Sequence, residues 1–131
     1  MTNYRQALSG KSNLIVLVTG GRDQTTRCAQ RALFEELDAL DGYYGIGLMV
    51  HGGARGADTL GGEWADSRGV DVKVQEADWT RDGKRAGPIR NQEMLDENSV
   101  DVVVALPGGA GTIDMKTRAA RKKIPIIGVE L

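Results

Sequence analysis

Short apolar runs alternate with segments of helical periodicity along this chain of 131 residues, and three of the runs end in glycine turns. Continuous apolar runs are typical of strands buried on both faces, and their alternation with helices favours a parallel sheet. The sequence therefore predicts an α/β fold with a doubly wound parallel sheet of about five strands and helices on both faces. A strand order of 3-2-1-4-5 would bring the loops after the first and fourth strands to one crevice.

The elements follow in order from the local pattern. Five strands are predicted from apolar or alternating runs, at residues 14–18, 46–50, 70–74, 100–106 and 126–129. The third strand alternates and is expected near a sheet edge. Four helices are predicted between the strands: from a cap at Asp23, Thr25 or Thr26 to Asp41-Gly42, from Asp58 to Gly69, from about 89 to 98, and from the last glycine turn to about 123.

The remaining segments are assigned by their composition. Residues 76–87 are expected to form an irregular loop, and residues 1–12 a loose arm or a short packing extension. The basic run Arg118, Arg121, Lys122 and Lys123 is expected to be a solvated helix end. At this length a single domain over residues 1–131 is expected.

Charge and cysteine content narrow the function classes. Lys and Arg number 17 against 18 Asp and Glu, so no overall field marks a nucleic-acid binder and DNA binding is the least favoured function. The single Cys28 excludes an internal disulfide and is expected to pack in a helix core. Because no apolar run approaches the ~18 residues of a membrane span, we expect a cytoplasmic protein without membrane contact.

Three glycine turns predict the binding site. They follow the first, second and fourth strands, at 19–23, 51–58 and 107–112. Glycine lets the backbone approach a ligand closely, and the N–H groups at a helix start favour an anion. The alternative is a plain turn, with Asp23 or Asp58 stabilising the following helix. The predicted ligand-binding residues of the turns are Gly20, Gly21, Arg22, Asp23, Gly52, Gly53, Arg55, Gly56, Asp58, Pro107, Gly108, Gly109, Gly111 and Thr112.

Side chains around the crevice complete the hypothesis. Arg22, Arg55 and Arg90 are predicted charge partners of a phosphate, and Asp58 and Asp114 are predicted to contact sugar hydroxyls. For Arg55, solvation is the alternative.

The loop and helix start after the third strand add two candidates. Trp79 either stacks on a base or folds back onto the core, and Asn91 could reach the crevice from the helix start. His51 alone defines no metal site, because no Cys/His cluster accompanies it, so neither a metal nor a cofactor is expected. No G-x-G-x-x-G or Walker A motif occurs, which disfavours classical dehydrogenases and P-loop NTPases.

Together these segments resemble the YspA-related branch of the SLOG superfamily. Five motifs occur in the same order, and the resemblance spans Leu14 to Val129. They are Thr19–Asp23, His51–Asp58 followed by Trp64, Ala77–Trp79, Gly87–Asn91 with Met94, and Pro107–Thr112. The resemblance implies a Rossmann-like domain that binds nucleotides or nucleotide-derived ligands.

The same superfamily includes the LOG phosphoribohydrolases, whose loop has the form Pro-Gly-Gly-x-Gly-Thr-x-x-Glu. In this chain Met115 takes the position of the final Glu, and Asp114 precedes it. The resemblance implies an alternative function, cleavage of the N-glycosidic bond of a nucleotide, with Asp114 as the candidate catalytic residue. The expected partner is a nucleotide-like small molecule, and a homodimer would also suit such a small domain.

Overall fold

The computed structural model of the chain describes residues 4–131 and contains a five-stranded parallel sheet. The strands are β1 (Leu14–Thr19), β2 (Ile46–His51), β3 (Asp71–Val74), β4 (Val102–Ala105) and β5 (Ile126–Gly128). Their order is β3-β2-β1-β4-β5, and every neighbouring pair is parallel. The predicted fold class and strand order are confirmed. Because β1 lies beside β4, the loops at their carboxyl ends meet at the switch point of the sheet.

Helices cover both faces of this sheet. They are α1 (Tyr4–Ala7), α2 (Arg27–Tyr44), α3 (Ala57–Arg68), α4 (Trp79–Asp82), a 3-10 turn (Gly83–Arg85), α5 (Ala86–Glu97) and α6 (Ala110–Arg121). The helices α2 and α3 pack on one face, and α5 and α6 pack on the other. No helix within residues 4–131 is long and apolar enough to cross a membrane.

Alternate side chains of β1 enter two separate cores. Val16 and Val18 join the core under α2 and α3, which also holds the fully buried Trp64. Leu17 joins the core under α5 and α6, together with Met115. Burial on both faces explains why β1 reads as one continuous apolar run.

The predicted N-terminal arm is not loose from Tyr4 onward. Residues Tyr4–Ala7 form one helical turn, and Leu8 is fully buried in the core under α2 and α3. The alternative prediction, a short extension that packs against the domain, is therefore the correct one for these residues. Burying a leucine contributes roughly 1.5–3 kcal/mol, enough to hold a short segment in place. Residues 1–3 of the predicted arm lie outside the described residues.

Two predictions about α2 are wrong. The helix does not end at Asp41-Gly42 but continues to Tyr44, where Gly45 with a φ of 80° terminates it. Cys28 lies in α2, as predicted, but on its exposed side. One residue turns a helix by about 100°, so the neighbour of the buried Ala29 points away from the core.

The segment predicted as an irregular loop is partly helical. The side chain of Asp78 accepts a hydrogen bond from the Arg81 N–H at 2.9 Å, which caps α4. The 3-10 turn follows directly and leads into α5, which begins at Ala86 rather than near residue 89.

Candidate ligand-binding site

Backbone hydrogen bonds join three loops at the carboxyl edge of the sheet. The Gly21 N–H donates to the Pro107 carbonyl at 2.9 Å, and the Leu106 N–H donates to the Thr19 carbonyl at 3.0 Å. On the other side, the Ala57 N–H donates to the Gly21 carbonyl at 3.2 Å. The β1 loop is thus fixed to the loops that follow β4 and β2, and the predicted meeting of the glycine turns has a direct backbone basis.

Two glycines sit where these loops touch. A Cβ at Gly20, whose φ is 154°, would lie 2.6 Å from the Ala57 Cβ and 2.8 Å from the Leu106 Cβ. A Cβ at Gly56, whose φ is 82°, would lie 2.7 Å from the Arg22 carbonyl oxygen. These distances are below those of real Cβ contacts, so both positions require glycine for loop-to-loop packing.

The β2 loop uses its amides internally. The Asp58 carboxylate accepts hydrogen bonds from the N–H groups of Gly52 at 3.1 Å and Ala54 at 3.2 Å. Between them, the Gly53 N–H donates to His51 Nδ1 at 3.0 Å. Three successive amides of a predicted phosphate turn are therefore already paired. Asp58 therefore stabilises its own loop, which is the alternative to ligand binding that the sequence left open. Its contact with a sugar hydroxyl stays a prediction.

Arg90 holds the same loop from α5. Its Nη1 donates to the Gly52 carbonyl at 2.9 Å and approaches the Gln75 carbonyl at 3.4 Å. Its Nε donates to the Asn91 side-chain oxygen at 3.2 Å. The guanidinium is thus partly occupied by backbone and amide oxygens, although its charge lies at the crevice.

Burial shifts His51 and Asp58 of the β2 loop toward their neutral forms. Burial lowers the pKa of His51 below its usual 6.5, which keeps the imidazole neutral and Nδ1 able to accept a hydrogen bond. Burial also raises the pKa of Asp58, although the Ala54 and Gly52 amides and the nearby charges of His51 and Arg90 favour the carboxylate. The loop is therefore held by groups whose charge responds to pH.

The β4 loop differs because it leads into four successive unpaired amides. Within the described residues, the N–H groups of residues 109–112 donate no hydrogen bond, and no side chain caps α6 at Gly109. The first N–H groups of a helix have no intrahelical acceptor. A Cβ at Gly109 or Gly111 would meet nothing within 4 Å, and residues 107–111 are all exposed. Of the three predicted turns, this one is open and rich in available donors.

The carboxylate of Asp114, which forms an ion pair with Arg118, lies beside these amide donors. Asp114 Oδ2 accepts from Arg118 Nε at 2.9 Å and from Asn91 Nδ2 at 3.0 Å. The same Asn91 nitrogen donates to the Gly111 carbonyl at 3.3 Å. Burial alone would raise the pKa of Asp114, but the hydrogen bonds from Arg118 and Asn91 outweigh it and hold the pKa below the usual 3.8. Asp114 is therefore ionised and paired.

Met115 is a packing residue. It is 1% exposed and lies in the core under α5 and α6. Successive helical residues point about 100° apart, so Asp114 does not take the direction of Met115. The chain thus places an apolar side chain where the hydrolase motif has its glutamate.

The other predicted side chains lie on the same edge. Arg22, Asp23 and Arg55 are exposed. The N-cap of α2 is Thr26 rather than Asp23, because the Thr26 hydroxyl accepts from the Ala29 N–H at 3.1 Å. Among residues 4–131, no group of His, Cys, Asp and Glu side chains is arranged to hold a metal ion.

Trp79 is 56% exposed, which is incompatible with packing in the core. It lies on α4, directly after the loop that follows β3. Its ring approaches Gly87 at the start of α5, at 3.8 Å from the position that a Cβ there would take. Stacking on a ligand base stays a prediction.

Two residues of the site escaped the sequence analysis. Arg118 is not a solvated helix end: its side chain is 24% exposed and binds Asp114 and the Gln92 side-chain oxygen. The i,i+4 spacing from Asp114 was the signal that could have revealed it. Gln24 donates from Nε2 to the Pro107 carbonyl at 3.0 Å and so adds a third hydrogen bond between the β1 and β4 loops. No sequence pattern marks that contact.

The model of the YspA, cpYpsA-related SLOG family matches residues 14–81, just over half of the chain. The chain belongs to this SLOG family. The matched segment includes the β1 and β2 loops and Trp79, whereas the β4 loop lies beyond it. One relative, the gene 61 protein of Mycobacterium phage D29, is 39% identical over 122 residues, which cover 86% of this chain and 93% of the relative.

Two solved structures share the fold of this SLOG domain. The molybdenum cofactor binding protein of the phototrophic bacterium Rippkaea orientalis matches with a TM-score of 0.63 and 20% identity, over 92% of this chain and 77% of that one. The Moco carrier protein of Chlamydomonas reinhardtii matches with a TM-score of 0.58 and 20% identity, over 89% and 76%. At this identity the likeness concerns the Rossmann-like fold, which in both neighbours belongs to a protein named for a small-molecule cofactor.

Proposed function

We propose that this SLOG domain binds a nucleotide or nucleotide-derived ligand, with a phosphate group on the amides of residues 109–112. The observation that carries the proposal is the state of these amides: in the described chain they donate no hydrogen bond, residues 109–111 are exposed, and a Cβ at Gly109 or Gly111 would meet nothing within 4 Å. The helix dipole of α6 adds partial positive charge at the same place. An anion would satisfy donors that the fold leaves free.

The other two glycine turns support the proposal as walls of the site. Backbone contacts and the side chains of Asp58, His51 and Arg90 fix them before any ligand arrives. Arg22 and Arg55 stand exposed on these walls and are the proposed charge partners. In the same hypothesis Asp58 and Asp114 contact sugar hydroxyls, Arg90 and Asn91 line the crevice and Trp79 covers the base.

The fold neighbours support a small-molecule ligand rather than a nucleic acid. Both are named for the molybdenum cofactor, so that cofactor belongs among the ligands to be tried. The balanced charge of the chain gives no field that would attract nucleic acid. We further propose a cytoplasmic protein that works without membrane contact and as a homodimer.

Titration calorimetry tests the proposal with AMP, ADP-ribose, NAD, cyclic nucleotides and molybdenum cofactor. The decisive variant is Gly111→Ala, which sets a methyl group beside the open amides. Alanine in a helix is more stable than glycine by roughly 0.5–1 kcal/mol, so the fold is not weakened. We expect at least about tenfold weaker ligand binding, close to 1.4 kcal/mol, with no fall in Tm.

Gly42→Ala is the matched control. Gly42 is also a helical glycine with open surroundings, but it lies near the end of α2. It should give the same gain in stability and leave affinity unchanged. Absence of binding by every ligand, or equal weakening in both variants, would refute the proposed site.

The same samples test the alternative of N-glycosidic hydrolysis. Chromatography after incubation would detect a released base, and loss of that product in Asp114→Asn would assign catalysis to Asp114. We expect intact ligand, because Arg118 matches the charge of Asp114 and Met115 is buried in the core.

A further inference from the structure

Asn91 is a buried side chain that lies between two charged ones. It belongs to α5 and is only 6% exposed. Its Oδ1 accepts a hydrogen bond from Arg90 Nε at 3.2 Å, and its Nδ2 donates to Asp114 Oδ2 at 3.0 Å and to the Gly111 carbonyl at 3.3 Å. An asparagine side chain has two N–H donors and one oxygen acceptor, so all of its polar atoms are engaged. Asn91 therefore acts on the site through the residues that it holds.

The chemistry of the two neighbours favours asparagine at this position. A guanidinium can only donate hydrogen bonds, and an ionised carboxylate can only accept them. Asn91 meets both needs in a single orientation, with its oxygen toward Arg90 and its nitrogen toward Asp114. An aspartate there would repel Asp114, and a leucine, which has the same branched shape, would bond to neither neighbour.

Asn91 also joins the β2 loop to the start of α6. Arg90, whose Nε it accepts, donates from Nη1 to the Gly52 carbonyl at 2.9 Å. On its other side Asn91 binds Gly111 and Asp114, which both lie near the start of α6. Three hydrogen bonds in series thus connect Gly52 with Asp114. A polar network whose members are satisfied rigidifies the residues that it joins, so the place of Asp114 is set by the opposite wall of the crevice.

One oxygen of Asp114 stays available. Arg118 Nε and Asn91 Nδ2 both donate to Oδ2. Within the part of the chain that the structure describes, Oδ1 accepts no hydrogen bond, and the side chain is 28% exposed. Because the two donors come from different helices, they fix the carboxylate from two directions. The site therefore has one free, charged acceptor beside the open amides of α6.

We propose that Asn91 is a positioning residue that holds Asp114 so that its Oδ1 accepts a hydrogen bond from a sugar hydroxyl of the ligand. This inference rests on the proposed function and names the part of the ligand that is selected, a sugar with a free hydroxyl near the phosphate bound at α6. A deoxygenated sugar would leave Oδ1 without a donor. Selectivity for the hydroxyl then depends on Asn91, although Asn91 itself makes no polar contact with the ligand.

Titration calorimetry with AMP and 2′,3′-dideoxy-AMP tests this selectivity. The wild type should bind AMP about tenfold more tightly, the effect of one hydrogen bond to a charged group. Asn91→Leu should lower the affinity for AMP to about that for the dideoxy analogue, because Asp114 loses its fixed orientation. Binding of the analogue should stay nearly unchanged, since the amides of residues 109–112 remain. A general loosening of the fold would instead weaken the binding of both nucleotides and keep their ratio.

Asn98→Leu is the matched control. Asn98 is also buried, and its Nδ2 donates to the Met94 carbonyl at 2.8 Å and to the Gln75 side-chain oxygen at 3.2 Å, but it holds no residue of α6. Its Tm should fall as that of Asn91→Leu does, while the preference for AMP persists. Asp114→Ala should abolish the preference, and adding Asn91→Leu should change it no further. A preference that survives in Asn91→Leu, or is lost in the control, would overturn the proposal.

Hydrogen exchange of side-chain amides, followed by NMR, tests the positioning without a ligand. The Asn91 Nδ2 protons should be protected in the wild type and exchange at least about tenfold faster in Asp114→Ala, while those of Asn98 in the same sample stay unchanged. Equal exchange of the Asn91 protons in both proteins would overturn the positioning role. A wild type that binds both nucleotides equally would overturn the hydroxyl contact alone, whereas binding of neither would overturn that contact and count against the proposed function.

Discussion

The carboxylate of Asp114 lies beside amides that are proposed to bind a phosphate. The positive charge of Arg118 offsets the repulsion expected between that carboxylate and the phosphate. Arg118→Gln removes the matching charge while Asn91 still holds Asp114. Repulsion between the carboxylate and a bound phosphate should then weaken ligand binding by about 1–2 kcal/mol, or roughly tenfold. Calorimetric titration with the best ligand of the panel measures the effect.

The double variant Asp114→Asn/Arg118→Gln separates charge from packing. It removes both charges and keeps an amide that can bind Asn91, so affinity should return toward that of the wild type. If the double variant binds as weakly as the single one, Arg118 acts through shape and not through its charge.

His51 should make the stability of the domain depend on pH. Because burial lowers its pKa below 6.5, folding favours the neutral imidazole. The stabilising effect is fully present above pH 6.5 and is lost as the pH falls through the lowered, folded-state value, with a slope of at most about 1.4 kcal/mol per pH unit. Urea unfolding at about pH 7.5 and about pH 5.5 measures the loss.

His51→Gln is the comparison that isolates this effect. Glutamine can accept a hydrogen bond but does not titrate, so its stability should change less over the same range. Asp58, whose raised pKa acts in the opposite direction at acidic pH, is present in both proteins, and its pKa rises further once the His51 charge that favours the carboxylate is removed. An equal loss in both proteins would assign the pH dependence to other groups.

At the scale of single elements, the start of α2 depends on one hydroxyl. Thr26→Ala removes the acceptor of the Ala29 N–H and should lower the free energy of unfolding by about 1 kcal/mol in urea. Thr25→Ala changes a neighbouring exposed threonine that is not the cap. A similar loss of unfolding free energy in both variants would mean that the Thr26 cap contributes no more to stability than an uncapping threonine does.

Helix ends were the part of the elements that sequence predicted least well. Asp41-Gly42 looked like a stop, yet Gly42 keeps helical geometry and Gly45 adopts the positive φ that ends α2. A glycine permits a helix to end but does not force it to, because the packing of the residues that follow decides where the helix ends. The same holds at residues 79–85, where the Asp78 cap turns a predicted loop into α4 and a 3-10 turn.

For the whole molecule, the alternation of apolar runs and helices was sufficient to predict the parallel sheet, and the strand order expected of a doubly wound sheet is the one observed. It could not supply the partners of the polar groups. Arg90 and Gly52 are 38 positions apart, and nothing local to either predicts their hydrogen bond. The edge that carries the site was therefore predictable, whereas the internal pairing of Gly52, Gly53 and Ala54 was not.

Gly20→Ala should disturb the molecule beyond its own loop. Its methyl group would press on both Ala57 and Leu106, so α3 or the end of β4 must shift. We expect a loss of about 2 kcal/mol or more in urea unfolding. Gly128→Ala, where a Cβ meets nothing within 4 Å, should be nearly neutral. Equal stabilities of the two variants would contradict the close packing of the three loops.

The backbone bond between Gly21 and Pro107 also bears on how quickly a ligand exchanges. Since it fixes the β1 and β4 loops to each other, the open amides of α6 stand in place before any encounter. Binding of the ligand then requires no slow rearrangement of the loops, and the loops lose little conformational entropy when the ligand binds. Residence time, rather than the rate of arrival, should distinguish the true ligand from its chemical relatives.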